Sequence, residues 1–351
     1  MHQEAAPLFL EDCWYVAMPS SKLKKGQTTG RVLLDKPFLL GRRLDGSLFC
    51  LRDICPHRAL PLTSGSFDGE SLTCCYHGWE FNTEGRCTKI PALGPDTDFK
   101  TEKIGIPQFE VREQNGLIAI YIPSSDAKSN DFGLPALSFD ANQHFYHVSD
   151  HLLNADIDNA VLGLIDPAHV PNVHNSWWWR SPKKLKKKTK KFEPFENGFK
   201  MVAHTPASGS KVHGSFKGKL KIEISFMLPG TRIEQIQYGR KGRISLLTVL
   251  SPVDHKHTLL QQYIYTNLLL VKLLLPLLKR FGKRFIEQDV WVLKKQQEGL
   301  RFNPKTMLLG EADQQAKWYL KLKSNYRKKK QDVNVKVKHP VRPETTLTWW
   351  T

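Results

Sequence analysis

The stretch from Asp53 to Phe81 constrains this chain more than any other. It sets Cys55 and His57 two residues apart. After a loop it sets Cys74 and His77 three apart. Each half offers one thiol and one imidazole. A zinc site usually pairs Cys with Cys and His with His, so the mixed halves disfavour zinc. A [2Fe-2S] cluster of mixed ligation needs two thiolates on one iron and two imidazoles on the other, which raises its potential. Two short loops, each carrying a Cys–His pair, could close on such a cluster from opposite sides. Gly65 and Gly78 would let backbone approach the sulfurs. Cys75 adjoins Cys74, but the spacing to His77 assigns Cys74 as ligand. Cys13, Cys50 and Cys87 lie outside the pattern and read as buried small residues.

A second donor group follows in Asp166-Pro-Ala-His169-Val-Pro-Asn-Val-His174. On an unbroken helix the two imidazoles would face slightly different ways. A break at Pro171 would let both turn toward one ion. Two His and one carboxylate on one face of iron leave open positions for dioxygen. The carboxylate must come from far along the chain, and Asp289 is the first candidate. On a helix its neighbours are Phe285, Ile286, Val292 and Leu293, and a carboxylate on such an apolar face is costly unless paired or metal-bound. Glu287 points elsewhere and ranks second.

The chain has 351 residues, long enough for two cores. Short β-like runs at Arg31–Leu34, Phe38–Leu40, Leu48–Leu51 and Leu117–Ile122, split by turn signals such as Asp45-Gly46 and Asn115-Gly116, predict an all-β first domain. Residues 123–135 read as a linker. Beyond it, a helix is expected over Ala155–Ile165. Runs at Leu220–Met227, Thr231–Tyr238, Ile244–Ser251 and Leu259–Tyr265 predict one antiparallel sheet with a covered face. A late helix is expected over Lys283–Leu300. The fold class is therefore α+β, with domains over 1–125 and 136–351.

Lys and Arg number 52 against 34 Asp and Glu, a net charge of +18. Such a field favours anionic partners. The basic runs 183–191, 327–330 and 336–338 read as solvated surface, as steering for an acidic ferredoxin, or as contact with anionic membrane. The apolar run Leu268–Leu278 is interrupted by Lys272 and Pro276, which argues against a span but allows peripheral contact. Nucleic acid ranks last, because Trp177, Trp178 and Trp179 read as pocket rim or core. The N-terminus lacks the pattern of a signal peptide, so a cytoplasmic location is expected.

The stretch CPHRAL followed by CCYHGWEF closely resembles the Rieske motif of ring-hydroxylating oxygenases. Many members have Pro where this chain has Cys75. The D-x₂-H-x₄-H pattern of their catalytic domain is matched at Asp166, His169 and His174, and their last ligand lies in a late helix comparable to that of Asp289. Members often carry Asn four residues before the Asp; here that position is Leu162, with Asn159 nearby. The resemblance implies a [2Fe-2S] cluster, a mononuclear Fe(II), and electrons drawn ultimately from NAD(P)H through a ferredoxin or reductase. It implies oxygen-dependent hydroxylation, dealkylation or desaturation of an apolar, often aromatic or polycyclic, small molecule by a terminal oxygenase. It also implies that Asp166 links His77 of a neighbouring subunit to His169, which requires a ring such as a homotrimer. As an N-cap before Pro167, Asp166 would be merely structural. The competing readings are a Rieske electron carrier with no oxygenase site, and a membrane-bound redox sensor.

Overall fold

The structure is a computed structural model that describes residues 9–94, 98–124, 144–174, 185–205, 220–332 and 334–351. Contacts divide the chain into two units, Glu11–Leu137 and Ser138–Thr351, with Met1–Leu10 grouped with the second.

Among its described residues the first unit is built from strands and four single-turn 3-10 helices, an all-β class. Its strands are β1 (Cys13–Pro19), β2 (Gln27–Leu33), β3 (Lys36–Arg42), β4 (Leu48–Arg52), β5 (Ser66–Phe67), β6 (Ser71–Thr73), β7 (Glu80–Asn82), β8 (Cys87–Lys89), β9 (Val111–Gln114) and β10 (Leu117–Ile122). They form three antiparallel sheets, ordered β1-β10-β9, β2-β3-β4 and β5-β6-β7-β8. All six residues of β10 are buried, so both faces of this central strand are covered. Asn115 and Gly116 both take positive φ, 53° and 78°, and so form the tight turn from β9 to β10. Cys13, Cys50 and Cys87 are buried, as expected.

The second unit contains β11 (His144–Leu153), α1 (Ile157–Ile165), α2 (Val170–Val173), β12 (Lys187–Phe195), β13 (Gly198–His204), β14 (Leu220–Met227), β15 (Thr231–Tyr238), β16 (Gly242–Pro252), β17 (Thr258–Thr266), α3 (Leu269–Leu273), α4 (Leu275–Leu300), α5 (Gln314–Gln331) and β18 (Thr345–Trp350). One eight-stranded antiparallel sheet runs β11-β17-β16-β15-β14-β13-β12-β18. The four strands expected from sequence are consecutive in it; β14 and β15 match their apolar runs, while β17 is two residues longer and β16 three.

Two expectations need correction. Pro171 does not break a helix; it lies in the first turn of α2, where its missing N–H is no loss. The late helix starts at Leu275, not Lys283, because Pro276 likewise fits its first turn. Within the Lys run, Lys186, Lys187 and Lys191 are exposed, as the surface reading expects. Lys187–Lys191 pair with β18, and burial holds the Lys190 ammonium below its ordinary pKa. Residues 125–135 of the expected linker, Trp177–Trp179, Lys183 and Lys184 lie outside the described residues.

Candidate functional site

Two groups of donors stand out, one in each unit. In the first unit, the Cys55–Leu60 and Cys74–Trp79 loops repeat one hydrogen-bond frame. Cys55 N–H donates to Leu60 O at 2.8 Å and Ala59 N–H to Cys55 O at 2.9 Å. Cys74 N–H donates to Trp79 O at 2.9 Å and Gly78 N–H to Cys74 O at 3.0 Å. The fifth residue of each loop is left-handed, Ala59 at φ 57° and Gly78 at φ 67°. Two matching loops thus present two matching Cys–x(x)–His pairs.

Both thiols are buried against a core that includes Leu62, Leu72 and Phe81, whereas Cys75 is exposed. Burial pushes the Cys55 thiol above its ordinary pKa, and the adjacent Cys74 pushes it further. Two thiolates side by side in that setting need a metal's positive charge to offset them, which fits an iron on this pair. The imidazoles are exposed. Their ring centroids are 4.5 Å apart, and His57 stacks on Trp79 at 4.7 Å and 6°. Desolvation by its surroundings, with the like charges of His57 and Arg58, holds His77 below the ordinary imidazole value, so its neutral ring is ready to act as a ligand.

Gly65 serves differently from expected. A Cβ on it would lie 2.0 Å from Thr73 O and 3.2 Å from Cys75 N, so it admits the backbone beside Cys74 rather than the sulfurs. Backbone cannot yield as a side-chain tip can. Gly65→Ala is therefore expected to destabilise the protein by more than about 2 kcal/mol, read as a melting-temperature drop of several degrees. An unchanged melting temperature would contradict this packing.

In the second unit, α1 is capped by Asp156, whose side chain accepts from Asn159 N–H at 3.0 Å and from Asn159 Nδ2 at 2.6 Å. Asn159 is thus a capping partner. Ile157, Ala160, Val161 and Ile165 form the buried face of α1. The helix ends at Asp166, which is extended because Pro167 follows. Asp166 is therefore the C-cap of α1, not the N-cap of a following helix. Its Oδ1 accepts from Ala168 N–H at 2.7 Å, and its Oδ2 lies 3.5 Å from His169 Nδ1.

His169 and His174 flank α2 at its two ends, so both imidazoles can turn to one side. His169 Nε2 and His174 Nε2 are 3.3 Å apart. Asp289 Oδ1, from α4, lies 3.6 Å from the first and 3.2 Å from the second. Bonds of about 2.1 Å at right angles would set donors about 3.0 Å apart on one octahedral face. The three atoms lie near that spacing. They form the one such group of His, Cys, Asp or Glu among the described residues. Glu287 instead faces solvent beside Lys283, 3.9 Å away.

α4 places Asp289 by burying Ile286 and Leu293. It meets α1 where the bare Cα of Gly163 would put a Cβ 3.5 Å from Leu293 Cδ2. His174 is 3% exposed and stacks on Phe285, centroids 3.4 Å apart. Its Nδ1 donates to Gln288 Oε1 at 2.9 Å. Burial alone would lower the His169 pKa, but the carboxylates of Asp166 and Asp289 outweigh it and hold the value above normal. With Nδ1 of each ring engaged from outside, each Nε2 lone pair is free to face the centre of the group. Gln288 was missed in the sequence; its only signal was adjacency to Asp289.

Residues 13–110 match the Rieske [2Fe-2S] domain. The chain is 27% identical over 319 residues to Protein TIC 55, chloroplastic, of Pisum sativum, covering 89% of this chain and 55% of that protein. It is 26% identical over 257 residues to chlorophyllide a oxygenase, chloroplastic, of Chlamydomonas reinhardtii, covering 71% and 35%. The match thus spans less than two thirds of either relative. The fold is that of dicamba monooxygenase bound to dicamba, with a TM-score of 0.74 at 20% identity over 92% of this chain and 98% of that one.

Proposed function

We propose that this chain is the terminal oxygenase of a Rieske-type non-haem iron system, acting with O2 on an apolar aromatic or polycyclic small molecule. The observation that carries the reading is the group His169, His174 and Asp289, with donor atoms 3.2 to 3.6 Å apart, in a chain that also carries a Rieske domain. An electron carrier with a mere docking module would have no use for it.

Cys55, His57, Cys74 and His77 would hold the cluster and the triad the Fe(II), the first supplying single electrons and the second dioxygen activation. The chain's own residues prepare these sites. Gln288 and Asp166 fix the imidazole tautomers, and the burial of His174 keeps water from one side of the triad. Asp166 is 35% exposed at its side chain and His77 is exposed. Both are therefore open to a neighbouring subunit, and the reading places Asp166 between His169 and His77 of a neighbour in a homotrimer. The electrons come from NAD(P)H through a ferredoxin or reductase. Two relatives are named chloroplastic, so a plastid joins the cytoplasm as a location compatible with the reading.

The test is a single turnover. Protein reduced without oxygen and then given O2 with aromatic and polycyclic candidates should reoxidise its cluster faster with a substrate than without, and form oxygenated product. Equal rates with every candidate, unchanged by His169→Ala, would favour the electron carrier. Gln288→Leu is expected to weaken ferrous iron binding about 10- to 100-fold and leave the cluster spectrum intact. An iron titration matching wild type would remove Gln288 from the site.

A further inference from the structure

α3 and the first turns of α4 carry six exposed leucines: Leu269, Leu270, Leu273, Leu274, Leu277 and Leu278. Leu269, Leu270 and Leu273 are 66% to 69% exposed, far beyond what scattered surface residues explain. The same stretch holds Lys272, Lys279, Arg280, Lys283 and Arg284, and its first acidic residue is Glu287. Along α4, positions 277, 281, 285 and 289 recur every fourth residue. The apolar stripe therefore leads to Asp289, about 18 Å from Leu277 along the helix axis. Phe285, within that stripe, stacks on His174.

We propose that this leucine and lysine face docks on an anionic lipid bilayer, lying in the interface rather than crossing it. Leucines on one side and cations beside them fit acyl chains and anionic headgroups together. A second copy of the chain fits poorly, because it would bring the same five cations and a net charge of +18 against them. A soluble protein partner fits less well than lipid, because protein hot spots favour Trp, Tyr and Arg while leucine is under-represented. Among the described residues no helix is long and apolar enough to cross a membrane, in keeping with an in-plane mode. Only the corollary, that an apolar substrate reaches the triad from the bilayer, rests on the oxygenase reading.

The experiment is vesicle flotation of the full chain. It needs no turnover, so its failure and that of the oxygenase reading are separable. The chain should float with vesicles of phosphatidylcholine and phosphatidylglycerol, less with phosphatidylcholine alone, and less at high salt. The paired changes Leu269→Ser with Leu273→Ser, and Lys279→Glu with Arg280→Glu, should each weaken binding at least about tenfold. Each variant should keep its circular dichroism and cluster absorbance; if the leucine pair does not fold, the charge pair decides. The proposal is overturned if the wild type stays unbound, or if a folded variant floats as well as wild type. It is also overturned if sedimentation velocity shows self-association that the leucine changes abolish, with no vesicle binding.

Discussion

His174→Ala should abolish turnover while leaving the cluster spectrum unchanged. His174 supplies one of three donor atoms to the proposed iron, and losing a ligand should exceed the 10- to 100-fold cost of losing its hydrogen-bond partner. Its ring is 3% exposed and stacks on Phe285, so the variant also leaves a small cavity in the second unit. The cluster ligands belong to the other unit, and their absorbance should not respond. Asp289→Asn separates the two effects, because it keeps the shape and removes the charge. Both variants should lose turnover by more than about 100-fold, measured as oxygen-dependent product formation. A His174→Ala protein with turnover within threefold of wild type would remove it from the ligand set; loss of the cluster would mean that it serves the wrong centre.

The second large effect falls on Cys74. Cys74→Ala should yield a protein without the visible absorbance of a [2Fe-2S] cluster, because one thiolate cannot replace two on an iron. Cys74 also packs in the core with Leu72 and Phe81, so about 1 kcal/mol of packing goes with it, besides the stability that the bound cluster contributes. Cys75→Ala should be indistinguishable from wild type, since that side chain is exposed and the loop's hydrogen bonds come from Cys74, Gly78 and Trp79. The comparison is made by visible absorbance and thermal melting on the two proteins. The reverse result, with Cys75 essential and Cys74 dispensable, would shift the frame by one residue.

The cluster pattern was legible because its four donors fall within one short stretch and each pair shares a single loop. The triad was legible in part. His169 and His174 are local, and the period of α4 set Asp289 beside Ile286 and Leu293. What the sequence hid was contact across distance. Gln288 faces His174 only because α2 and α4 pack, and nothing in its neighbours announces that. Pro171 and Pro276 read as breakers when they are first-turn residues: a proline at a helix start looks in the sequence like one that interrupts a helix, and the late helix is accordingly expected from Lys283 rather than Leu275. The sheet was half visible. β14 to β17 carry strong apolar runs, but β12 opens on Lys187, Lys188, Lys190 and Lys191, and β18 and α5 lack a clear apolar period. In α5 the buried Trp318, Tyr319 and Leu322 are masked by a basic composition. Asp158 on α1 accepts from Tyr319 Oη at 2.5 Å and from Lys323 Nζ. That tie between α1 and α5 was likewise invisible in the linear chain.

The central claim is that one chain holds both a cluster and a separate iron. Iron and acid-labile sulfide measured together on anaerobically purified protein test it most directly. The account predicts about three iron for two sulfide, falling to about two for two in His174→Ala. About two for two in the wild type, even after ferrous iron is added, would contradict it and leave His169, His174 and Asp289 without a metal to hold.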